Sequence, residues 1–347
     1  MYRSLIKPIF FSFSAEGAHA IATFFLSLFS GPFTLPLFRI FMGHRSSGTY
    51  RCMGIDFPGR LGLAAGFDKD AKMFPALSAL GFGFIEVGTV TPLAQPGNKK
   101  PRLFRLPKDN ALINRMGFNN EGVKRMAVRL ARRKGRVIIG GNIGRNKVTP
   151  NERAAQDYQV CFEVLFDRVD YFTVNVSSPN TPALRDLQEK APLTSLLNSL
   201  QDLNRSKPNP KPILLKIAPD LNDTQLTDIL DIVKDTGISG IIVANTTISR
   251  NGLKTDDTDL KKMGQGGLSG QPLKDRTLEL VKYFSNGLGK GCVIVAAGGI
   301  SSPADAREMI EAGADLLQVY TSFIYQGPSL IASINRELVD SHDLTRA

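Results

Sequence analysis

Residues 175–182 read NVSSPNTP: two asparagines flank a pair of serines at the end of an apolar run, and Pro179 and Pro182 stiffen the segment after them. A rigid polar loop of this kind is suited to holding a small ligand, and Ser178 is its candidate nucleophile or base. The chain has three histidines, His19, His44 and His342, and none lies in a nucleophile motif, so a Ser-His-Asp triad is disfavoured. A second candidate is Lys216, a charge inside the otherwise apolar run PILLKIAP. A lysine buried in a strand needs a partner, which points to an anion or a cofactor. Asn114, Asn119, Asn142, Asn175, Asn180 and Asn245 add both donors and acceptors, a set that fits a planar ring bearing imide or carboxylate groups.

These residues are carried by a repeating pattern. Eight short apolar runs occur at 61–67, 82–90, 137–144, 171–178, 212–219, 240–247, 292–300 and 316–323. Most are separated by helix-like stretches such as RAAQDYQVCFEVLF, DTQLTDILDIVKDTG and SPADAREMIEAG. Near-continuous apolar strands alternating with helices predict a parallel sheet covered on its outer face, and eight units predict a (β/α)8 TIM barrel. Almost every run ends in polar or glycine residues, so Lys69, Asn142, Asn175, Ser178 and Asn245 are expected at one barrel mouth. Two insertions, 91–136 and 248–275, are expected above it.

AAGGI and VYTSF stand at the seventh and eighth strand ends, where this fold commonly builds a phosphate site. Ser301-Ser302-Pro303 before the next helix supplies a cap and a helix start. The phosphate could belong to a sugar phosphate, to pyridoxal phosphate or to a flavin mononucleotide. Lys216 is compatible with a Schiff base or with a reduced flavin. The asparagines favour a flavin barrel acting on a small polar ring.

At 347 residues and 42% hydrophobic content, one large barrel with insertions is accommodated. Cys52, Cys161 and Cys292 show no metal-ligand spacing and read as buried thiols; no metal site is expected. The formal charge of +11 is uneven. Residues 1–55 hold Glu16 as their only acid, and Lys100 to Arg136 contains twelve Lys or Arg against Asp109 and Glu121. A solvated helix face accounts for the second block, with an anionic membrane surface, an acidic substrate or nucleic acid as sharper alternatives. From Gly17 to Phe38 there are no formal charges, but Gly31-Pro32 and Pro36 interrupt the stretch, so two short helices joined at Gly-Pro are expected rather than one membrane span. Apolar bulk with basic flanks points to a membrane interface.

Together LAAGFDKD, PRLFRL, INRMGFNN, NVSSPNTPALRDLQ, LLKIAPD, NTT, GGLSG, GGI and VYTSFIYQGP resemble the dihydroorotate dehydrogenase family, in its class 2, membrane-associated, quinone-reducing branch. The resemblance spans almost the whole chain, including FSAEGAHA near the N-terminus. It implies oxidation of (S)-dihydroorotate to orotate in de novo pyrimidine biosynthesis, with one FMN as hydride acceptor and a membrane quinone as oxidant. Ser178 would be the catalytic base, where class 1 relatives use cysteine. Lys69, Asn114, Arg115, Met116, Gly117, Phe118, Asn175, Asn180, Asn245 and Thr246 would hold the substrate. Ala65, Gly66, Phe67, Asp68, Lys69, Thr89, Asn142, Asn175, Lys216, Ala244, Gly270, Gly299, Tyr320 and Thr321 would hold FMN. His19 and Arg105 would line a quinone tunnel, and Thr181 with a water near Phe118 would relay the proton of Ser178. Ala244 departs from the threonine that many relatives carry before NTT.

The resulting organisation is a helical membrane- and quinone-associating segment at 1–45, an FMN-binding barrel at 46–340 and a tail at 341–347. A monomer without nucleic-acid partners is expected, peripheral to the cytoplasmic face of a bacterial inner membrane, because the first helices begin almost at Met1. Class 1 enzymes using fumarate or NAD, and an RNA-acting flavin barrel such as a dihydrouridine synthase, are the competing readings. Ser178 in place of cysteine opposes both.

Overall fold

The computed structural model describes residues 2–43, 48–133, 135 and 137–340. The 45/46 boundary, His44, Lys134, Arg136 and the tail with His342 lie outside them. Eight parallel strands close a barrel: β1 (Leu61–Leu63), β2 (Phe84–Val90), β3 (Ile138–Ile143), β4 (Tyr171–Asn175), β5 (Ile213–Lys216), β6 (Gly240–Val243), β7 (Val293–Ala297) and β8 (Leu316–Val319). Each lies within one of the eight apolar runs. Successive strands are neighbours, and β8 pairs with β1, Val319 opposite Leu63. The strands are buried along nearly their whole length, as a sheet with helices outside and side chains inside requires.

Helices cover the barrel where the sequence placed them. Ala154–Leu165, Asp223–Thr236 and Pro303–Glu311 match the three helix-like stretches. Ser302 caps the last of these, accepting from the amide of Asp305 at 3.1 Å. Asn222 and Gln225 form a reciprocal capping box on the second, which ends at Gly237 with φ +61, a left-handed conformation that suits glycine.

Alternate strand residues point into the barrel and stack in layers. At the N-terminal end Phe84, Tyr171, Leu214, Ile242 and Leu316 form an apolar layer closed from below by Phe57. Phe57 comes from a hairpin, Tyr50–Cys52 paired with Ile55–Phe57, that plugs the barrel floor. Gly140 makes room for this layer: a Cβ there would lie 2.2 Å from the Tyr171 ring. Cys52 and Cys161 are buried thiols, and Cys292 is only half-buried.

The two insertions share one three-stranded antiparallel sheet, Leu103–Leu106, Ala111–Asn114 and Gly267–Gly270, that roofs the barrel mouth. Gly267 pairs with Asn114 and Leu268 with Ile113. The basic helix Val123–Leu130 comes next in the chain, and its region is partly neutralised: Glu121 takes Lys72, Arg125 and Arg129, and Asp170 takes Arg133.

Ahead of the barrel run α1 (Tyr2–Ser12), α2 (Ala15–Leu28) and α3 (Thr34–Met42). The expected break falls at Gly31-Pro32, between α2 and α3. No single described helix is long and apolar enough to cross a membrane; α1 and α2 pass that test only as a pair, bent by 119°. Tyr2 and Arg3 anchor α1 to the end of the barrel through the carbonyl of Ile324 (2.6 Å) and the side chain of Gln326 (2.5 Å). The outer faces remain apolar: Phe24, Phe33, Ile40 and Phe41 are 66%, 92%, 76% and 76% exposed. An apolar surface of this size marks a contact site.

Candidate active site

One cavity of about 530 Å³ occupies the barrel mouth and continues beneath the roof to the extension. Ser178, Asn180, Asn245 and Thr246 line it, and so do His19, Arg3 and Lys7 of the N-terminal helices. Lys69, Asn114, Met116, Gly117, Phe118 and Asn175 also line it, so nearly the whole expected substrate set converges. Arg115 does not line it. Its guanidinium lies on the Phe104 ring and donates to the carbonyls of Met263 and Gln265, holding the roof to the neighbouring loop.

The Ser178 hydroxyl oxygen accepts from the amide of Asn180 at 3.3 Å, and Asn180 in turn donates its side-chain amide to Asn114 at 3.0 Å. Thr181 is buried nearby, and its hydroxyl has no hydrogen-bond partner among the described residues. Arg185, absent from the expected set, fixes this loop from behind. It donates to the carbonyls of Ser177 and Thr246, both at 3.0 Å, and to Asp220 at 2.8 Å.

Below the mouth lies a polar layer in which Glu86 is the hub. This carboxylate, fully buried, accepts from Asn142 (2.7 Å), Gln318 (2.8 Å), Thr173 (3.1 Å) and Tyr171 (3.3 Å), with the Lys216 ammonium 4.0 Å away. Desolvation lowers the pKa of Lys216 and Glu86 opposes that. From Asn142 the amides continue upward: Asn175 donates to Asn142 (3.2 Å) and Thr89 (2.8 Å), and Asn245 donates to Asn175 (3.3 Å) and Ser177 (2.9 Å). Lys216 thus has the partner its strand position demanded. Glu86 carries the same signal, an acid within an apolar strand run, although it was not among the expected residues.

Of the expected cofactor residues, Ala65, Gly66, Lys69, Thr89, Asn175, Lys216, Ala244, Gly270, Gly299, Tyr320 and Thr321 line the cavity. Asn142 is fully buried behind Thr89, at 2.5 Å. Phe67 and Asp68 face a second cavity between α2 and the barrel. There the Asp68 carboxylate accepts from the amides of Lys72 and Met73 (2.7 and 2.8 Å) and orders the loop after β1. Ala244 donates its amide to the Ala297 carbonyl at 2.9 Å, so its backbone is fixed independently of its side chain. Gly298 and Gly299, at φ +148 and +72, line the cavity with their backbone, and a Cβ on either would collide with Thr277 or Lys274 behind them. A bare backbone cradle at this end and a lysine within the ring-sized mouth match the donor set of a phosphorylated ring cofactor. The residues present therefore fit a flavin mononucleotide.

Desolvation brings the Lys69 ammonium down to about 8, with Asp70 pulling the other way; it donates to the Gly66 carbonyl at 2.6 Å. His19, from α2, lies 3.0 Å from the Phe67 carbonyl, and desolvation pushes its pKa to about 4, leaving it neutral at pH 7. Arg105 does not line either cavity. It donates to the carbonyls of Phe10 (3.1 Å) and Phe13 (2.8 Å) and stacks on Phe11, closing the C-terminal end of α1.

A parallel eight-stranded barrel with a polar, asparagine-lined cavity at its mouth that is shared with the N-terminal helices defines an α/β-barrel enzyme. The dihydroorotate dehydrogenase profile matches residues 48–341. A protein of Christiangramia forsetii named dihydroorotate dehydrogenase (quinone) is 54% identical over 98% of this chain and 99% of its own. One of the same name from Idiomarina loihiensis is 44% identical over 95% and 98%. The crystal structure of ligand-free DHODH from Eimeria tenella superposes with a TM-score of 0.85 at 35% identity, covering 95% of each chain. This chain belongs to the dihydroorotate dehydrogenase family.

Proposed function

We propose that this protein oxidises (S)-dihydroorotate to orotate, with FMN as its bound redox group and a membrane quinone as terminal acceptor. The observation that carries this reading is the single cavity that Ser178 shares with His19, Arg3 and Lys7 of the extension. When bound, FMN would supply the two-electron carrier between substrate and quinone. Lys216, Thr89, Asn175 and the glycines at 270 and 299 would hold it, with Asn142 supporting from behind.

On the substrate side, Asn114, Asn175, Asn180 and Asn245 present amide groups that match the edges of a pyrimidine ring. The Lys69 ammonium offsets the negative charge that builds up as a proton leaves the carbon beside a carbonyl. Ser178 takes that proton while releasing its own, because a free hydroxyl is a weak base at neutral pH. Thr181, with its unpartnered buried hydroxyl, is the next acceptor along the loop. No histidine is required, since no acyl group is transferred. The exposed apolar faces of α1, α2 and α3 support peripheral contact with a lipid surface, here assigned to the cytoplasmic face of a bacterial inner membrane. The proposed working unit is a monomer.

The experiment is anaerobic. Dihydroorotate should bleach the flavin band of the purified yellow protein, and the colour should return with a soluble quinone but not with fumarate or NAD. Recovery with fumarate or NAD would overturn the quinone assignment, and no bleaching would overturn the substrate.

Lys69 also gives the site a pH dependence. Its charge is present below about 8 and is lost above it. Orotate, an anion, should therefore bind about tenfold more weakly at pH 9.5 than at pH 7, the scale of one charge-assisted hydrogen bond. Titrating the flavin band with orotate reads this directly. Lys69→Gln should bind weakly and without the pH dependence; a retained dependence would assign it to another group.

A further inference from the structure

Asn98 joins the two segments that face the substrate. Its side-chain amide donates to the carbonyls of Arg115 and Asn180, both at 3.1 Å, and its backbone amide donates to Met116 at 3.0 Å. The roof strand ending at Asn114 and the Ser178 loop therefore share one side chain. Arg102 holds Asn98 in turn. Its guanidinium donates to the carbonyls of Asn98 (2.9 Å) and Pro96 (2.6 Å), while its own carbonyl accepts from the Arg115 amide at 2.9 Å.

The packing leaves no slack. A Cβ on Gly97 would lie 2.3 Å from the Met116 carbonyl oxygen and 2.8 Å from the Arg102 guanidinium. One on Gly117 would lie 2.7 Å from the Asn98 amide nitrogen.

The remaining edge of the Arg102 guanidinium faces the extension. Nε and Nη2 donate to a carboxylate oxygen of Glu16, at 3.2 and 2.9 Å, in the first turn of α2. Arg102 is only 6% exposed, and Glu16 is its one carboxylate partner among the described residues. A guanidinium this deeply buried depends on its counter-charge, because losing one partner of such a pair strands the other.

We propose that Glu16 is a positioning residue for the dihydroorotate site. Through Arg102 and Asn98, α2 completes the substrate pocket as well as the part of the cavity that His19 lines. The seat of α2 on the barrel and the occupancy of the substrate pocket are thereby coupled, and such coupling runs both ways. This assignment rests on the substrate proposed above; the chain of hydrogen bonds does not.

Three variants of the FMN-loaded protein test it: Glu16→Gln removes the charge, Glu16→Asp keeps it, and Lys100→Gln removes an exposed second partner of Glu16 that touches neither substrate segment. In Glu16→Gln the half-saturating dihydroorotate for flavin bleaching, measured without quinone, should rise at least about fivefold, the lower range for coupled sites. Glu16→Asp should recover most of that loss, and Lys100→Gln should stay within about twofold, as exposed ion pairs generally do. A helix anchor without this role would change only the quinone needed for reoxidation, and that result would overturn the proposal. Backbone hydrogen exchange at 97–98 and 115–118 supplies an arm independent of the substrate. It should accelerate in Glu16→Gln alone, and unchanged exchange would overturn the connection whatever the substrate is.

Discussion

Replacing Ser178 with alanine is expected to leave a folded, yellow protein whose flavin is reduced by dihydroorotate at least about a hundredfold more slowly, the usual effect of removing a positioned base. The structure gives the substitution little else to disturb. The Ser178 hydroxyl accepts one long bond, from the Asn180 amide at 3.3 Å, while Arg185 fixes the loop through backbone carbonyls that alanine retains. Stopped-flow bleaching separates the two roles that a buried serine can have. A loop-capping serine would change dihydroorotate affinity and spare the limiting rate, and that outcome would remove Ser178 from the chemistry. Ser178→Cys offers a second reading, because a thiol titrates near 8.5 where a hydroxyl does not. Its limiting rate should climb through that range.

The largest effect on stability is expected at Glu86. Alanine there would orphan donors on Asn142, Gln318, Thr173 and Tyr171 in the barrel centre, and would leave Lys216 without its carboxylate. Removing one member of a buried charge pair costs about 3–5 kcal/mol. Urea unfolding should register this as a lower midpoint with an unchanged slope, accompanied by loss of the yellow colour. Glu86→Gln keeps an acceptor and should lose less. Adding Lys216→Met to Glu86→Ala should recover part of the stability, since the stranded ammonium goes with it. An unchanged midpoint in Glu86→Ala would mean that water replaces the carboxylate at no cost.

The barrel was legible because its signals are local. Each strand is a short apolar run, most of them β-branched, helix-like stretches separate most of them, and Ser302 and Pro303 mark a helix start with side chains of adjacent residues. Gly31-Pro32 marked the break between α2 and α3 in the same way. The strand-end asparagines were legible too, because closing a barrel brings strand ends together whatever the loops do. The features that were not legible depend on distant pairing. Nothing in PRLFRL or GGLSG announces that they belong to one antiparallel sheet, so the roof was expected only as two separate insertions. Arg102 and Arg105 sit three residues apart in a basic block, yet one ties the Pro96–Asn98 turn to Glu16 and the other closes α1. Arg115 lies within a motif whose neighbours line the cavity, but its own side chain turns outward. Sequence placed these cations; only their partners tell what each is for.

The roof also sets a timetable for synthesis. Asn114 and the Gly267 carbonyl it reaches are 153 positions apart, and the glycine cradle at 298–299 is further still. At about 5–20 residues per second, an emerging chain waits roughly ten to thirty seconds between making the first wall of the pocket and making its counterpart. During that interval the early roof strands have an open edge and no ligand can hold them closed. A ribosome-stalled fragment ending before Gly267 should therefore be unable to retain cofactor or substrate, and chaperone demand should be highest while the residues between Asn114 and Gly267 are being made.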